Sequence, residues 1–213
     1  MCSTPNTHET ALIHNMTVDV VPDRRDGPPH QVGPLFTVGH GTRTAAELTA
    51  LLRGAGVEAV VDVRSAPGSR RNPQFARAQL EEWMSAAGFS YRWEPDLGGF
   101  RRPMPDSPNV GLRHPSFRGY ADYMSTERFA SALAHVLEEA ETASTALMCA
   151  ESLWWRCHRR LIADAAVLLF GIEVRHIRHD GCVDRHRMTE GARLEQVSMR
   201  ILYDLEADPE PTE

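Results

Sequence analysis

The stretch that decides the fold runs Thr145-Ala146-Leu147-Met148-Cys149-Ala150, then Glu151-Ser152-Leu153-Trp154-Trp155-Arg156, then Cys157-His158-Arg159 and on through Phe170-Gly171. Its first six residues form an apolar run bounded by polar residues, which reads as a buried strand. The middle six are a short connection. Cys157 to Phe170 has the apolar spacing of an amphipathic helix, Gly171 is placed to end it, and Ile172 to Ile177 reads as the next strand. A strand, a helix and a further strand within about 33 residues make a parallel βαβ unit.

Working outward, Leu35-Phe36-Thr37-Val38-Gly39 is another buried run, and Leu48, Leu51 and Leu52 mark one face of the helix after it. Thr44 with Glu47 three residues on predicts a capping box at that helix start. Val57 to Val63 is the second such run in chain order, ending in the polar cluster Arg64-Ser65-Ala66-Pro67-Gly68-Ser69-Arg70-Arg71. A helix over about 75–87, a strand over 89–93 and a helix over about 120–141 continue the alternation. The segment from about 95 to 117, with Gly98-Gly99 and several prolines, has no period and reads as a long loop of the kind that forms lids. The expected fold is therefore α/β, with a single open, mostly parallel sheet of about five strands and helices on both faces.

Three regions are expected. Residues 1–33, with Pro22, Pro28 and Pro29 and no apolar period, read as a disordered extension. Residues 34–189 form the α/β domain. Residues 190–213 form an acidic, partly helical segment with seven acidic and two basic residues, so the formal charge of −6 leaves 22 acidic against 21 basic residues in the rest. A near-neutral body counts against a nonspecific nucleic-acid binder. Four cysteines, unevenly spaced, point to free thiols, and the absence of an apolar span or a signal-peptide pattern points to a cytoplasmic protein with no membrane partner. Every cation is an arginine, since the chain holds no lysine. That excludes Schiff-base chemistry on a lysine and a phosphate loop ending in Gly-Lys-Ser/Thr.

In such a sheet, ligands bind beyond the carboxyl ends of the strands. His40, Arg64, Cys149 with Glu151, and His176 all fall at such ends. Cys149 stands where a strand feeds a helix, a setting in which arginines and helix amides ionise a thiol, although a small buried apolar role is the plainer reading. Glu151 is a candidate general base or an ion-pair partner of Arg159 or Arg64. His158 and Arg159 open the helix, where an anion would be favoured, and Arg64, Arg70 and Arg71 could reach the same place. A cysteine phosphatase would need Cys-x5-Arg, and here six residues separate Cys149 from Arg156. Neither Cys149, Cys157, His158, His40 and His176 nor the later run His179, Cys182 and His186 has paired zinc-site spacing, so no metal ligand is expected. The later run is expected to decorate a surface hairpin.

These residues resemble the domain-of-unknown-function 488 family. The resemblance runs from Thr37-Val38-Gly39-His40 through Asp62-Val63-Arg64 with Pro67, Ser69 and Arg70, then Leu97-Gly98-Gly99, Tyr120 and Tyr123, to Cys149-Ala150-Glu151 and Cys157-His158-Arg159. It covers about residues 35 to 180. Because the family carries no assigned activity, the resemblance implies a site and leaves the reaction open. Leu153-Trp154-Trp155 departs from the family's look and suggests a planar ligand.

The resulting expectation is an enzyme for a small anionic, nucleotide-like or phosphorylated substrate. Cys149, Glu151, His40 and His158 are its candidate catalytic residues, and Arg64, Ser69, Arg70, Trp154, Trp155, Arg159 and Tyr120 its candidate substrate contacts. No cofactor is indicated. The competing classes are a nucleic-acid-binding module without catalysis and a metal-dependent enzyme using Cys and His ligands.

Overall fold

The computed structural model describes residues 33–68 and 71–204. The expected extension over 1–33 falls almost wholly outside them, as do Ser69 and Arg70.

Six strands form one sheet: β1 (Leu35–Gly39), β2 (Ala59–Asp62), β3 (Ser90–Trp93), β4 (Thr145–Cys149), β5 (Val174–Ile177) and β6 (Val183–Arg185). Their spatial order is β3-β2-β4-β1-β5-β6. The first five run parallel and β6 adds an antiparallel edge, one strand more than expected from the sequence. β1, β2 and β4 are buried along their whole length, which is why they read as unbroken apolar runs with no alternation.

The helices are α1 (Ala45–Gly54), α2 (Arg77–Ala86), α3 (Pro115–Met124), α4 (Glu127–Ala140) and α5 (Arg159–Phe170). Leu48 and Leu52 of α1 and Leu80 and Met84 of α2 pack with Phe36, Val38, Val60 and Met148 against one face of the sheet. Residues of α3, α4 and α5 pack with Leu35, Val61, Leu147 and Val174 against the other. The split follows from chain order. Strands β1 to β3 step outward and β4 and β5 step back, so right-handed crossovers place the first two helices on one side and the later three on the opposite side.

The Thr44–Glu47 capping box is present at the start of α1, and Gly171 closes α5 in the left-handed region at φ 67°. The helix expected over about 120–141 is two helices. Thr126 Oγ1 accepts from Phe129 N and restarts the second of them. The tail beyond residue 190, expected to be partly helical, is in its described part an antiparallel hairpin of β7 (Ala192–Glu195) and β8 (Arg200–Tyr203). Tyr203 is fully buried beside α5, so this hairpin belongs to the domain's core.

Candidate functional site

Register brings the strand ends together. Gly39 pairs with Cys149 and Asp62 with Met148, while His40 N donates to Cys149 O and Val63 N to Met148 O, both at 2.9 Å. His40, Arg64 and Cys149, more than 100 residues apart at the extremes, therefore stand side by side. The connection after β4 folds tightly over β1. A Cβ at Gly39 would lie 1.9 Å from Glu151 O, so only glycine permits this approach.

Two thiols sit beneath that connection. Cys149 ends β4, and Cys157 follows a single 3-10 turn (Trp154–Arg156) just before α5; both are buried. The Cys149 thiol donates a hydrogen bond to Cys157, and this bond together with burial pushes Cys149 well above the ordinary thiol range. Burial alone would push Cys157 up as well. The bond from Cys149, the charge of Arg159 and the contact with His158 outweigh it and hold Cys157 well below that range. Arg159 Nε donates to Cys157 Sγ at 3.4 Å, and His158 Nδ1 lies 3.6 Å from the same sulfur. His158 Nε2 donates to Val63 O at 3.0 Å, which aims Nδ1 at the thiol. Cys157 is therefore the thiol whose surroundings favour ionisation, whereas the sequence had directed attention to Cys149.

Arg159 is almost fully buried, and its other guanidinium contacts are Thr37 Oγ1 and the main-chain oxygen of Glu151. No carboxylate pairs with it among the described residues. A buried cation needs a counter-charge, and the Cys157 sulfur is the ionisable group in contact with it. Arg159 thus stands behind the thiols and does not line the cavity, so it is no direct substrate contact in this geometry. The carboxylate of Glu151 forms no ion pair with it and instead accepts from Leu153 N at 3.0 Å.

Arg64 is also buried, but differently. Asp62 takes its Nε at 2.8 Å and its Nη2 at 2.5 Å, and Nη1 reaches His40 Nε2 at 3.2 Å. His40 Nδ1 donates to Gly41 O, its ring stacks on Phe75 at 4.0 Å, and burial, with Arg64 and Arg159 nearby, lowers its pKa to about 4. His40 is a neutral ring whose free lone pair is already taken by Arg64. Its place is to orient that guanidinium.

A cavity of about 670 Å³ opens in front of the thiols. Cys149, Glu151, Cys157, His158, Arg64 and Tyr120 line it, with Phe100, Phe117 and Trp155 as an aromatic wall and Arg156 at its edge. A second cavity of about 360 Å³ lies against it, bordered by His40, Gly41, Asn72 and Ser152 and sharing Arg64, Ala66, Ala150 and Glu151 with the first. Tyr120 donates to Leu97 O and packs its ring near His158 at 5.1 Å. Of the two tryptophans, only Trp155 faces the cavity. Trp154 turns the other way and stacks on His176 at 4.0 Å and 8°. Sequence reading did not single out Phe100, His114, Ser116, Phe117 or Arg156, which come from the aperiodic loop, from α3 and from the short turn. A non-glycine residue at φ 60°, Phe100 is 93 % exposed. The loop behind it is pinned, because Met104 N, Ser107 Oγ and Asn109 Nδ2 all donate to Asp122 and Asn109 Oδ1 accepts from Tyr203 N.

Of the later histidines and cysteine, His179 and Cys182 lie exposed at the β5–β6 turn as expected. His186 does not: its side chain is 1 % exposed and bonded to His176 and Asp164. As for metals, Cys149, Cys157 and His158 offer donor atoms within 4.8 Å of one another and could hold a thiophilic cation. The guanidinium of Arg159 already acts as the cation at Cys157, so an ion there would have to share that sulfur with it.

Matching over residues 44–166, more than half of the chain, the family model described as Domain of unknown function DUF488 shows that this chain belongs to that family. The match spans the capping box of α1, the Asp62–Arg64 strand end, both cysteines and most of α5. No curated protein and no solved structure matches the chain. No helix among the described residues is long and apolar enough to cross a membrane.

Proposed function

We propose that this chain is an enzyme acting on a small anionic substrate with a flat, nucleotide-like ring, and that Cys157 is its nucleophile. The carrying observation is a buried sulfur on a cavity wall with Arg159 Nε at 3.4 Å and His158 Nδ1 at 3.6 Å. A cysteine with a positioned histidine, itself oriented by a third group, is the arrangement that activates a thiol for covalent catalysis, and here the main-chain oxygen of Val63 is the orienting group.

The lining of the two cavities supports this substrate class. Phe100, Phe117 and Trp155 offer faces for a planar ring, while Arg156 and the remaining N–H groups of Arg64 suit an anionic group. In this scheme the Cys157 sulfur bonds to the electrophilic atom of the substrate. The bond to the leaving group breaks, and the leaving group takes the proton held at His158 Nδ1. Water then attacks the covalent intermediate and gives its proton to Glu151, which returns it to His158 as the thiolate is released. Acyl and glycosyl transfer to water both fit this sequence. Free thiols at Cys149, Cys157 and Cys182 suit a reducing, cytoplasmic setting.

The test is the pH dependence of alkylation by iodoacetamide, mapped by mass spectrometry. Cys157 is expected to react below pH 7, ahead of the exposed Cys182, and Cys157→Ser to abolish this early labelling while Cys149→Ser keeps it. Early labelling at Cys149, or equal rates at Cys157 and Cys182, would overturn the assignment.

A further inference from the structure

Arg159 has a second buried neighbour that thiol chemistry does not use. Its Nη1 donates to Thr37 Oγ1 at 3.4 Å, and from there an unbroken path of side chains runs beneath the site. Thr37 Oγ1 lies 2.7 Å from His176 Nδ1, His176 Nε2 lies 2.9 Å from His186 Nδ1, and His186 Nε2 lies 2.9 Å from Asp164 Oδ1. Thr37, His176 and Asp164 are each at most 1 % exposed. The path joins β1, β5, the segment after β6, and α5.

With Asp164 as a carboxylate and His186 as a neutral ring, the hydrogen bonds of this path run in one direction. As a carboxylate, Asp164 accepts from His186 Nε2, from Thr189 N at 2.9 Å and from the Tyr203 hydroxyl at 3.0 Å, and it has no hydrogen to give. His186 therefore carries its hydrogen on Nε2, and its Nδ1 accepts from His176 Nε2. That leaves His176 Nδ1 as an acceptor, filled by the Thr37 hydroxyl, whose oxygen in turn accepts from Arg159. Burial, with His186 and Arg159 nearby, lowers the His176 pKa to about 2, in keeping with a neutral ring. Every donor points the same way, from a buried cation to a buried anion. Trp154, stacked flat on His176, holds that ring in plane.

We infer that Thr37, His176, His186 and Asp164 are positioning residues for the candidate site, holding the Arg159 guanidinium so that its Nε faces Cys157 and supplying, through Asp164, its distant counter-charge. This rests on the reading of Cys157 as the reactive thiolate. The arrangement has a use when that thiolate is consumed in a covalent intermediate. Arg159 then loses its contact anion, and the polarised chain to Asp164 remains to balance it. Thr37, His176 and His186 lie outside the family match over 44–166 and Asp164 lies inside it, so three of the four supporting residues come from parts of the chain that the match does not reach.

The experiment uses the full chain with Thr37→Val, which keeps the shape and removes the hydroxyl, and Thr37→Ser, which restores it. Thiolate absorbance near 240 nm and Cys157 alkylation are followed against pH, alongside thermal melting. Thr37→Val is expected to raise the Cys157 midpoint by about one pH unit, cutting the thiolate fraction and the alkylation rate about tenfold at pH values below the parent midpoint, with Thr37→Ser close to the parent. A Thr37→Val protein that melts lower but keeps the parent midpoint overturns the inference and leaves the nucleophile reading standing. An ordinary thiol midpoint in the parent protein overturns the nucleophile reading and the inference with it. Should Thr37→Val not fold, ¹⁵N spectra of histidine-labelled parent protein decide: both buried rings must be Nε2–H tautomers, and an Nδ1–H tautomer at His176 refutes the chain.

Discussion

Arg159 Nε reaches Cys157 Sγ at 3.4 Å from a guanidinium that is 1 % exposed and meets no carboxylate among the described residues. The guanidinium favours the ionised form of the Cys157 thiol, which makes the titration of Cys157 depend on Arg159. Arg159→Lys keeps a cation but replaces a rigid fork that serves Cys157, Thr37 and Glu151 O at once with a single ammonium. The Cys157 midpoint is expected to rise by about 1–2 pH units, read from thiolate absorbance. An unchanged midpoint would mean that charge alone, without the fork geometry, holds the thiolate.

The buried histidines predict a pH-dependent stability. His40 has a folded pKa of about 4 against an ordinary 6.5. Between those values the unfolded chain binds a proton that the native ring refuses, so stability falls as pH drops from 6.5 and levels near 4, a loss of about 3 kcal/mol at about 1.4 kcal/mol per pH unit. His176, lowered to about 2, extends the decline further into acid. Urea midpoints at pH 7, 5.5 and 4.5 should fall in that order, and His40→Gln should flatten the slope. A parallel slope in His40→Gln would show that His40 titrates normally.

Gly39→Ala sets a Cβ against a main-chain oxygen that cannot rotate away. We expect a loss of about 2 kcal/mol or more together with weaker Cys157 reactivity, because the displaced Glu151 carbonyl is also a ligand of Arg159. Gly54→Ala is the control. A Cβ there meets nothing within 4 Å, and alanine within a helix should stabilise by about 0.5–1 kcal/mol. Equal melting temperatures for the two variants would contradict the close approach at Gly39.

Asp62→Asn removes the carboxylate from a buried pair in which Arg64 is 6 % and Asp62 0 % exposed, and it weakens the acceptor of the Tyr91 hydroxyl. Breaking such a pair leaves an uncompensated cation, and a destabilisation of about 3 kcal/mol is expected by urea denaturation. A cost below about 1 kcal/mol would indicate that the Arg64 charge finds solvent through the adjoining cavities.

Local features were legible in the sequence because their causes are local. The run Leu35 to Gly39, the Thr44–Glu47 box and the glycine ending α5 each depend on residues within a turn or two, and the chain forms them as read. The split at Thr126 was missed because one threonine's capping bond competes with a helical period that continues on both sides. Likewise, the tail's net charge hid a short hairpin whose Ile201 and Tyr203 are pulled inward by α5.

By itself, the sequence determined an α/β chain whose candidate site residues stand at the ends of β1, β2 and β4, since apolar period and turn residues dictate where strands stop. Only the tertiary structure decided the roles inside that site. Cys157, not Cys149, is the thiol that Arg159 and His158 hold low, Trp154 serves His176 while Trp155 faces the cavity, and His186 is buried on Asp164. These outcomes depend on strand order and on how α5 is rotated against the sheet, which set distances of a few ångströms between residues as many as 122 positions apart, as between Thr37 and Arg159. Coulomb and hydrogen-bond energies vary steeply over such distances, and spacing along the chain carries no measure of them.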